Sequence, residues 1–335
     1  MKILFDHPEP FFLVYGGFEI QIGQTQRALE GLGVVVEPLR WWDRSQQGDL
    51  IHFFGRPFPV YVQMAHQNGI PVVFTALHSS VGVRATWKRR LQKTVMRIAE
   101  RAVPSMISRL AWDSYRTADA CLVVTPWEAR LVRELFGAPA DKVHVVPNGI
   151  EDEFFSAARA ERGRWLITTA SILPVKRVLE TAQAAVAAKT PYWVMGRPQS
   201  ESDAYYARFV ELCRAHPEVL RYEGGISDRA RLAALYREAR GFVLLSRWES
   251  LSISSLEAAA CECPLLLSDL PWAQTVFGDK ATYCPTTASV TKVAESLREF
   301  YDRAPRLAPP PPPKRWSEIG VQLKGVYESV LNRPR

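Results

Sequence analysis

The chain has little that would tie it to a metal, a membrane span or an oxidising compartment. Its five cysteines, Cys121, Cys213, Cys261, Cys263 and Cys284, are odd in number and irregularly spaced. Cys261-Glu-Cys263, the one close pair, has neither a zinc nor a redox spacing, so reduced thiols in a cytosolic setting are expected. The six histidines are scattered without a His-x-x-x-His pair, which excludes the usual helical zinc arrangement. No uninterrupted apolar run approaches the roughly 18 residues a membrane span needs. The opening "MKILFDHPEP" turns to charge and proline too early for a signal-peptide core. A Walker-type glycine loop and a Ser/His/Asp ordering are also missing. These absences predict a soluble cytoplasmic protein, at most peripheral to a membrane.

What is present is ordinary globular material, 47% apolar and 23% charged over 335 residues, enough for two cores. The formal net charge of +7 is placed unevenly: between Arg84 and Arg116 nine Lys/Arg face two acids, which accounts for the whole excess. That stretch also carries an apolar stripe, Trp87, Leu91, Val95, Ile98 and Ala102. It suits either an anionic membrane surface or packing on a core. Nucleic acid is not indicated, because aromatics do not interleave with the cations and no reader motif occurs.

Along the chain, strand-like and helix-like runs alternate, the pattern of parallel sheets with helices on both faces. "KILF", "VVVEPL", "DLIHFF", "IPVVFTALH", "ACLVVTP" and "KVHVVPNG" form a first series. "RWLITTAS", "YWVMG", "LRYEGG", "RGFVLLS", "CPLLLSD" and "ATYCP" form a second, with the hinge near "PNGIEDEFF". Most are nearly continuous apolar runs, as expected for strands covered on both faces. The predicted class is α/β, two doubly wound Rossmann-like domains. Five prolines in "RLAPPPPPKRW" form a stiff spacer of about 15 Å, which carries a last amphipathic helix to another surface.

Open parallel sheets bind ligands beyond the carboxyl ends of their strands. The polar residues just past the predicted strands are Gly16, Gly17, His78, Asn148, Lys176, Arg197, Glu249 and Glu257. Lys176 and Arg177 stand at the start of a helix, where a cation and the helix N-terminus both suit phosphate oxygens. The glycine pair lets the backbone approach a phosphate or a sugar, or simply turns. His78 could serve as a base or as a structural group. Glu249 and Glu257 bracket "SLSISSL", the first in a strand-to-helix loop, the second about two turns into the helix among Leu256 and Ala258 to Ala260. A carboxylate is costly to bury unpaired. Two of them in one crevice can accept hydrogen bonds from the vicinal hydroxyls of ribose or a hexose.

These residues resemble a known pattern. "ESLSISSLEA" followed by "CPLLLSDLP", "DKVHVVPNGIEDEFF", "YRTADACLVVTPWEARLV", "YGGFEIQIGQTQRALEGLG", "DLIHFFG" and "PVVFTALH" occur in the order seen in retaining glycosyltransferases of family 4, which have the GT-B fold. The resemblance implies an N-terminal acceptor-binding domain over 1–148 and a nucleotide-sugar-binding domain over 149–308, facing one interdomain cleft. A linker over 309–315 and a helix over 316–335 returning to the first domain would follow.

The family's roles then transfer residue by residue. Glu257 would hold the ribose hydroxyls, Glu249 hydroxyls of the donor sugar, and Lys176 the diphosphate, helped by backbone N–H groups of Ser250, Leu251 and Ser252. Gly17 would pass close to the phosphates, with Gly16 beside it in the same substrate-binding loop and His78 near the transferred sugar. Asn148 belongs to the matched "PNGI", while Arg197 and Ile226 fall where the base is recognised. The implied activity is metal-independent, retaining transfer of a hexose from a UDP- or GDP-sugar to a hydroxyl of a glycan or lipid-linked acceptor, without a cofactor, in bacterial-type polysaccharide or glycolipid assembly. Two departures stand out. Ser171 occupies the place of the family's arginine five residues before Lys176, leaving Arg177 or Arg247 to substitute. Ser250 and Ser252 replace two glycines after the first glutamate. A degenerate domain that binds without transfer, and a nucleotide-sugar epimerase, are the alternatives.

Overall fold

The computed structural model describes residues 1–8, 16–76, 91–95, 98, 111–155 and 161–333. His78 and most of the basic stretch 84–116 lie outside the described residues. The chain divides into two units, Met1–Gly149 with Trp316–Arg335, and Ile150–Arg315.

The first unit runs β1 (Lys2–Asp6), α1 (Gly17–Glu30), β2 (Val35–Pro38), β3 (Leu50–Phe54), α2 (Pro59–Gln67), β4 (Val72–Thr75), α3 (Ser114–Thr117), β5 (Ala120–Val123), α4 (Pro126–Phe136) and β6 (Val143–Val145). Its strands form one parallel sheet in the order β2-β1-β3-β4-β5-β6. Side chains alternate across a strand, so Ile3, Phe5, Val73 and Leu122 enter one core and Leu4, Phe74, Cys121 and Val123 the other. Both faces are covered, which is why these strands read as unbroken apolar runs.

The second unit runs β7 (Leu166–Thr169), α5 (Val178–Ala187), β8 (Tyr192–Met195), α6 (Ala204–Ala215), β9 (Leu220–Glu223), α7 (Arg229–Glu238), β10 (Gly241–Leu244), α8 (Ile253–Ala260), β11 (Leu265–Ser268), α9 (Pro271–Phe277), β12 (Thr282–Cys284) and α10 (Val290–Arg303). The sheet is again parallel, ordered β12-β11-β10-β7-β8-β9. The order reverses between β7 and β10, and in the first unit between β1 and β3. Ligands bind outside the carboxyl ends at such points.

The last helix, α11 (Trp316–Leu331), belongs to the first unit. Trp316, Ile319, Leu323, Val326, Tyr327 and Val330 pack against Ile3, Phe5 and Leu29. Gly320 permits the approach to α1, since a Cβ there would meet the Ala28 carbonyl oxygen at 3.0 Å. Tyr327 OH lies 2.6 Å from His52 Nδ1, and Thr75 Oγ1 lies 2.7 Å from His52 Nε2. Complete burial pushes the His52 pKa down to about 3, so the ring is neutral.

The expected linker 309–315 does not stand apart from both units. Lys314 O accepts from Ile150 N at 3.0 Å, Arg315 pairs with Asp152, and its guanidinium sits 4.2 Å from the Phe155 ring centroid. These contacts join the segment's end to the second unit.

Candidate functional site

In the second unit the strand-order reversal brings two loops together. After β7 the chain makes a short 3-10 turn, Pro174–Lys176, and after β10 it runs through Glu249 to α8. Arg247 N donates to Val175 O at 2.7 Å, tying one loop to the other. Lys176 Nζ donates to Glu249 Oε2, both side chains being partly exposed. Ser246 Oγ lies 3.4 Å from the same carboxylate oxygen. A cation and an acid thus face each other where a ligand of this fold would sit.

The start of α8 is built by its serines. Ser252 is the N-cap, its Oγ accepting from Ser255 N at 3.2 Å and lying 3.1 Å from Ser254 Oγ, an arrangement that satisfies one of the helix's otherwise unpaired N–H groups. Ser250, Leu251 and Ser252 are buried. Glu257 is the fifth residue of α8, so it lies little more than one turn in rather than two.

Glu257 is the most confined acid of the site, its side chain only 4% exposed. Its Oε1 accepts from Arg229 Nη2 and its Oε2 from Tyr236 OH at 2.9 Å. Arg229 also holds Glu151, Nε to Oε1 at 3.0 Å and Nη2 to Oε2 at 3.1 Å, and its guanidinium lies 4.8 Å from the Phe154 ring centroid. Tyr236 OH meets Thr169 Oγ1 at the end of β7. Burial raises the Glu257 pKa, with Arg229 and then Tyr236 pulling it down less strongly. Burial works against the charge of Arg229, but Glu257 and Glu151 more than offset it, and the net shift is upward. Burial, reinforced by Glu257, puts the Tyr236 hydroxyl well above its usual range. Tyr236 therefore donates and Glu257 keeps lone pairs for further donors, since a carboxylate offers about four sites.

Arg177 does not stand beside Lys176 as a second cation. Its backbone is left-handed, φ 53°, and its guanidinium donates to Thr286 O at 3.0 Å and Ala288 O at 2.7 Å, leaving the residue 7% exposed. It anchors the loop after β12. Arg247 remains at the surface, 3.6 Å from Glu180. Arg197 and the loop holding Ile226 come together: a Cβ on Gly225 would meet Arg197 Nε at 2.7 Å. Ile172 N donates to Arg197 O at 3.0 Å, joining this pair to the loop after β7.

In the first unit, Gly16 caps α1 with φ 142°, a conformation that favours glycine, and Gly17 opens the helix. Asn148 is buried near Gly149, where a Cβ would lie 2.7 Å from Trp316 Cα. His78 lies outside the described residues. Among the described residues no group of three or more His, Cys, Asp or Glu side chains gathers to hold a metal ion, and no helix is long and apolar enough to cross a membrane.

Reading only the ends of strands misses Arg229, Tyr236 and Glu151. One signal was available. Arg229, Leu232, Ala233 and Tyr236 share one face of α7, so Arg229 opens an apolar stripe and needs a buried partner.

Each unit is a Rossmann-like doubly wound sheet, and the two in succession make the GT-B fold. The description of Glycosyltransferase Family 4 matches residues 16–154, and that of Glycosyl transferases group 1 matches residues 151–320, more than half of the chain. The chain belongs to the glycosyl transferases group 1 family, with the N-terminal region of family 4. D-inositol 3-phosphate glycosyltransferase of Nocardia farcinica is 29% identical over 213 residues, covering 55% of this chain and 46% of that protein. The protein of the same name from Kineococcus radiotolerans is 28% identical over 206 residues, 54% of this chain and 47% of that one. The chain thus matches these curated relatives over about half of their length. Among solved structures, Anabaena HepE in complex with UDP and glucose superposes with a TM-score of 0.64 at 12% identity, covering 98% of this chain and 99% of that one. Sucrose-phosphate synthase of Thermosynechococcus elongatus gives 0.69 at 15% identity, covering 98% of both. These likenesses show the fold.

Proposed function

We propose that the chain is a retaining glycosyltransferase that moves a hexose from a UDP- or GDP-sugar to a hydroxyl of a glycan or lipid-linked acceptor. The observation that carries this is the pairing of Lys176 with Glu249 at the β7/β10 reversal, beside the start of α8. Family membership, and the UDP and glucose that HepE carries on the same fold, support a nucleotide sugar as donor.

In this reading Glu257, fixed by Arg229 and Tyr236, takes the ribose hydroxyls, and Lys176 meets the diphosphate. Breaking the anomeric bond leaves negative charge on the diphosphate, so a preorganised cation and helix N–H groups lower that barrier most where the charge develops. That distribution of charge supports metal-independent transfer. Glu249 is released to the donor sugar as the phosphates claim Lys176, and the departing phosphate takes the acceptor's proton on the face it leaves.

A second reading, binding without transfer, is favoured by the cations: Ser171 stands where the family has arginine, and Arg177 is committed to Thr286 and Ala288. Thermal shift against UDP-, GDP-, ADP- and dTDP-sugars, followed by donor hydrolysis, separates the two. A shift with slow hydrolysis is expected. A shift without hydrolysis or transfer would establish the second reading, and no shift with any nucleotide would refute both.

The cytoplasmic face of a membrane is part of the same proposal, through 84–116. Its described positions Leu91, Val95 and Ile98 are exposed, and their spacing puts them on one helical face. Sedimentation with phosphatidylglycerol vesicles should be salt-sensitive, and no sedimentation at any salt concentration would remove the lipid.

A further inference from the structure

In the first unit the strand order reverses between β1 and β3, and the loops beyond the carboxyl ends there carry a feature that the donor site does not use. β1 ends on Asp6, which is 4% exposed. Its carboxylate accepts from Tyr61 OH on α2 at 2.6 Å and, over a longer 3.4 Å, from Trp41 Nε1 in the loop after β2. Among the described residues no cation pairs with it. Trp41 and its neighbour Trp42 are 77% and 82% exposed, more than any other large apolar side chain among the described residues.

The loop that displays these indoles is braced. Arg40 bonds Glu37 at 3.0 Å and Asp43 at 2.9 Å. Gln46 accepts from Arg40 N at 2.8 Å and donates to Pro38 O at 3.0 Å, while Asp43 accepts from Ser45 N at 3.0 Å and Ser45 Oγ at 2.6 Å. Exposed indoles forgo burial that would stabilise the fold. Holding them on an ordered loop lowers the entropy lost when something stacks on them.

We propose that Trp41, Trp42 and Asp6 form a carbohydrate subsite for the acceptor, an inference that rests on the glycosyltransferase reading. The C–H face of a pyranose ring lies against the indoles, and its hydroxyls donate to lone pairs of Asp6 that Tyr61 and Trp41 leave unused. Charge separates this occupant from a bilayer. Residues 37–49 hold three acids, Glu37, Asp43 and Asp49, against Arg40 and Arg44, with Lys2 and the N-terminal amine paired to Glu37 and Asp49, so the loop has no cationic excess to draw an anionic membrane, whereas a neutral sugar needs none.

The test uses the full chain with UDP-glucose as donor and para-nitrophenyl hexopyranosides as acceptor probes. Trp41→Ala and Trp42→Ala should each raise the glycoside KM about tenfold, as expected on losing a stacked aromatic face, while the donor KM holds. The control Val321→Ser, at an exposed position of α11, should change neither. In parallel, methyl hexopyranosides should perturb the tryptophan fluorescence of the wild type but not of Trp42→Ala. An unchanged glycoside KM overturns the subsite, as does loss of phosphatidylglycerol vesicle binding in the tryptophan variants with glycoside binding intact. Should the wild type neither hydrolyse nor transfer UDP-glucose or any other donor of the thermal-shift screen, the glycosyltransferase reading falls, and the fluorescence titration alone decides the subsite.

Discussion

Replacing Arg229 by methionine takes the shared cation from two carboxylates at once. The substitution keeps an apolar stem near Phe154 but removes the cation shared by Glu257 and Glu151, whose side chains are 4% and 11% exposed. Breaking a buried pair by deleting one partner costs about 3–5 kcal/mol, because the remaining charge is uncompensated. Glu257 has an escape, since it can take up a proton, and burial already raises its pKa. The expected loss at neutral pH is therefore near the lower end, about 3 kcal/mol, a large part of the about 5–15 kcal/mol that holds a typical domain.

The pH dependence follows in sign. A carboxyl whose folded pKa is raised contributes stability that is fully present below the ordinary value of 4.5 and is lost as pH rises through the raised value. Removing Arg229 raises that value further. The deficit of Arg229→Met against the wild type should then be small in acid and grow toward neutrality. Glu257→Gln removes the stranded charge, so the double variant should be more stable than the sum of the single losses by about 1.5 kcal/mol or more. Urea unfolding followed by circular dichroism at about pH 5 and about pH 7.5 measures all four proteins. Equal deficits at both pH values, together with additive losses, would refute the assignment of Glu257 as the acid held by Arg229.

The proposed donor site predicts a division of labour: Glu257→Ala should raise the Kd for the free nucleotide about tenfold or more, whereas Glu249→Ala should leave free-nucleotide binding intact and lower kcat/KM for the sugar nucleotide, which isothermal titration and initial rates separate. His52, neutral in the fold with its pKa pushed down to about 3 from 6.5, makes stability full above the ordinary value and falling as pH drops toward the folded one. The loss is about 1.4 kcal/mol per pH unit and up to about 5 in all. In His52→Gln the slope of unfolding free energy between about pH 6 and about pH 4 should flatten by about one proton. At Gly196 a Cβ would stand 1.9 Å from Ala170 O. Gly196→Ala must therefore shift backbone beside Arg197, and a cost of about 3 kcal/mol or more should appear as a lower Tm with weakened nucleotide binding.

The strands were legible because each is covered on both faces, which turns "VVFT" or "LLLS" into an unbroken apolar run between polar loops. Strand order was not, because such runs are interchangeable: nothing in "LITT" and "GFVL" says that β7 and β10 are neighbours. Lys176 and Glu249 could be found as residues following strands, but their pairing depends on that adjacency. Arg177 shows the opposite failure. Next to Lys176 in sequence, it reads as a second phosphate cation, yet a left-handed backbone at φ 53° turns the guanidinium to the carbonyls of Thr286 and Ala288, more than a hundred residues away. Arg229 was passed over because charge on a predicted helix ordinarily means solvent, and only its register with Leu232 and Tyr236 betrays the burial.

The charge arrangement constrains how a donor could engage the second unit. With Arg177 spent and Arg247 near Glu180, Lys176 is, among the described residues, the cation that faces the β7/β10 reversal, and it is already paired with Glu249. A diphosphate that takes Lys176 must displace a carboxylate, and that carboxylate then needs new donors. Ser246 Oγ, 3.4 Å away, is too distant to satisfy it alone. Sugar hydroxyls carried by the same ligand are well suited to the vacancy. Phosphate capture and sugar recognition are then one exchange of partners, which would make a free nucleoside diphosphate bind less well than the intact sugar nucleotide by about the worth of the charge-assisted hydrogen bonds that Glu249 would otherwise leave unmade, about 1.5–3 kcal/mol. Glu249→Gln weakens the hold on Lys176 and should narrow that gap from both sides, tightening the diphosphate and loosening the sugar nucleotide. A gap of unchanged size in that variant would mean that Glu249 guards the lysine without reading the sugar.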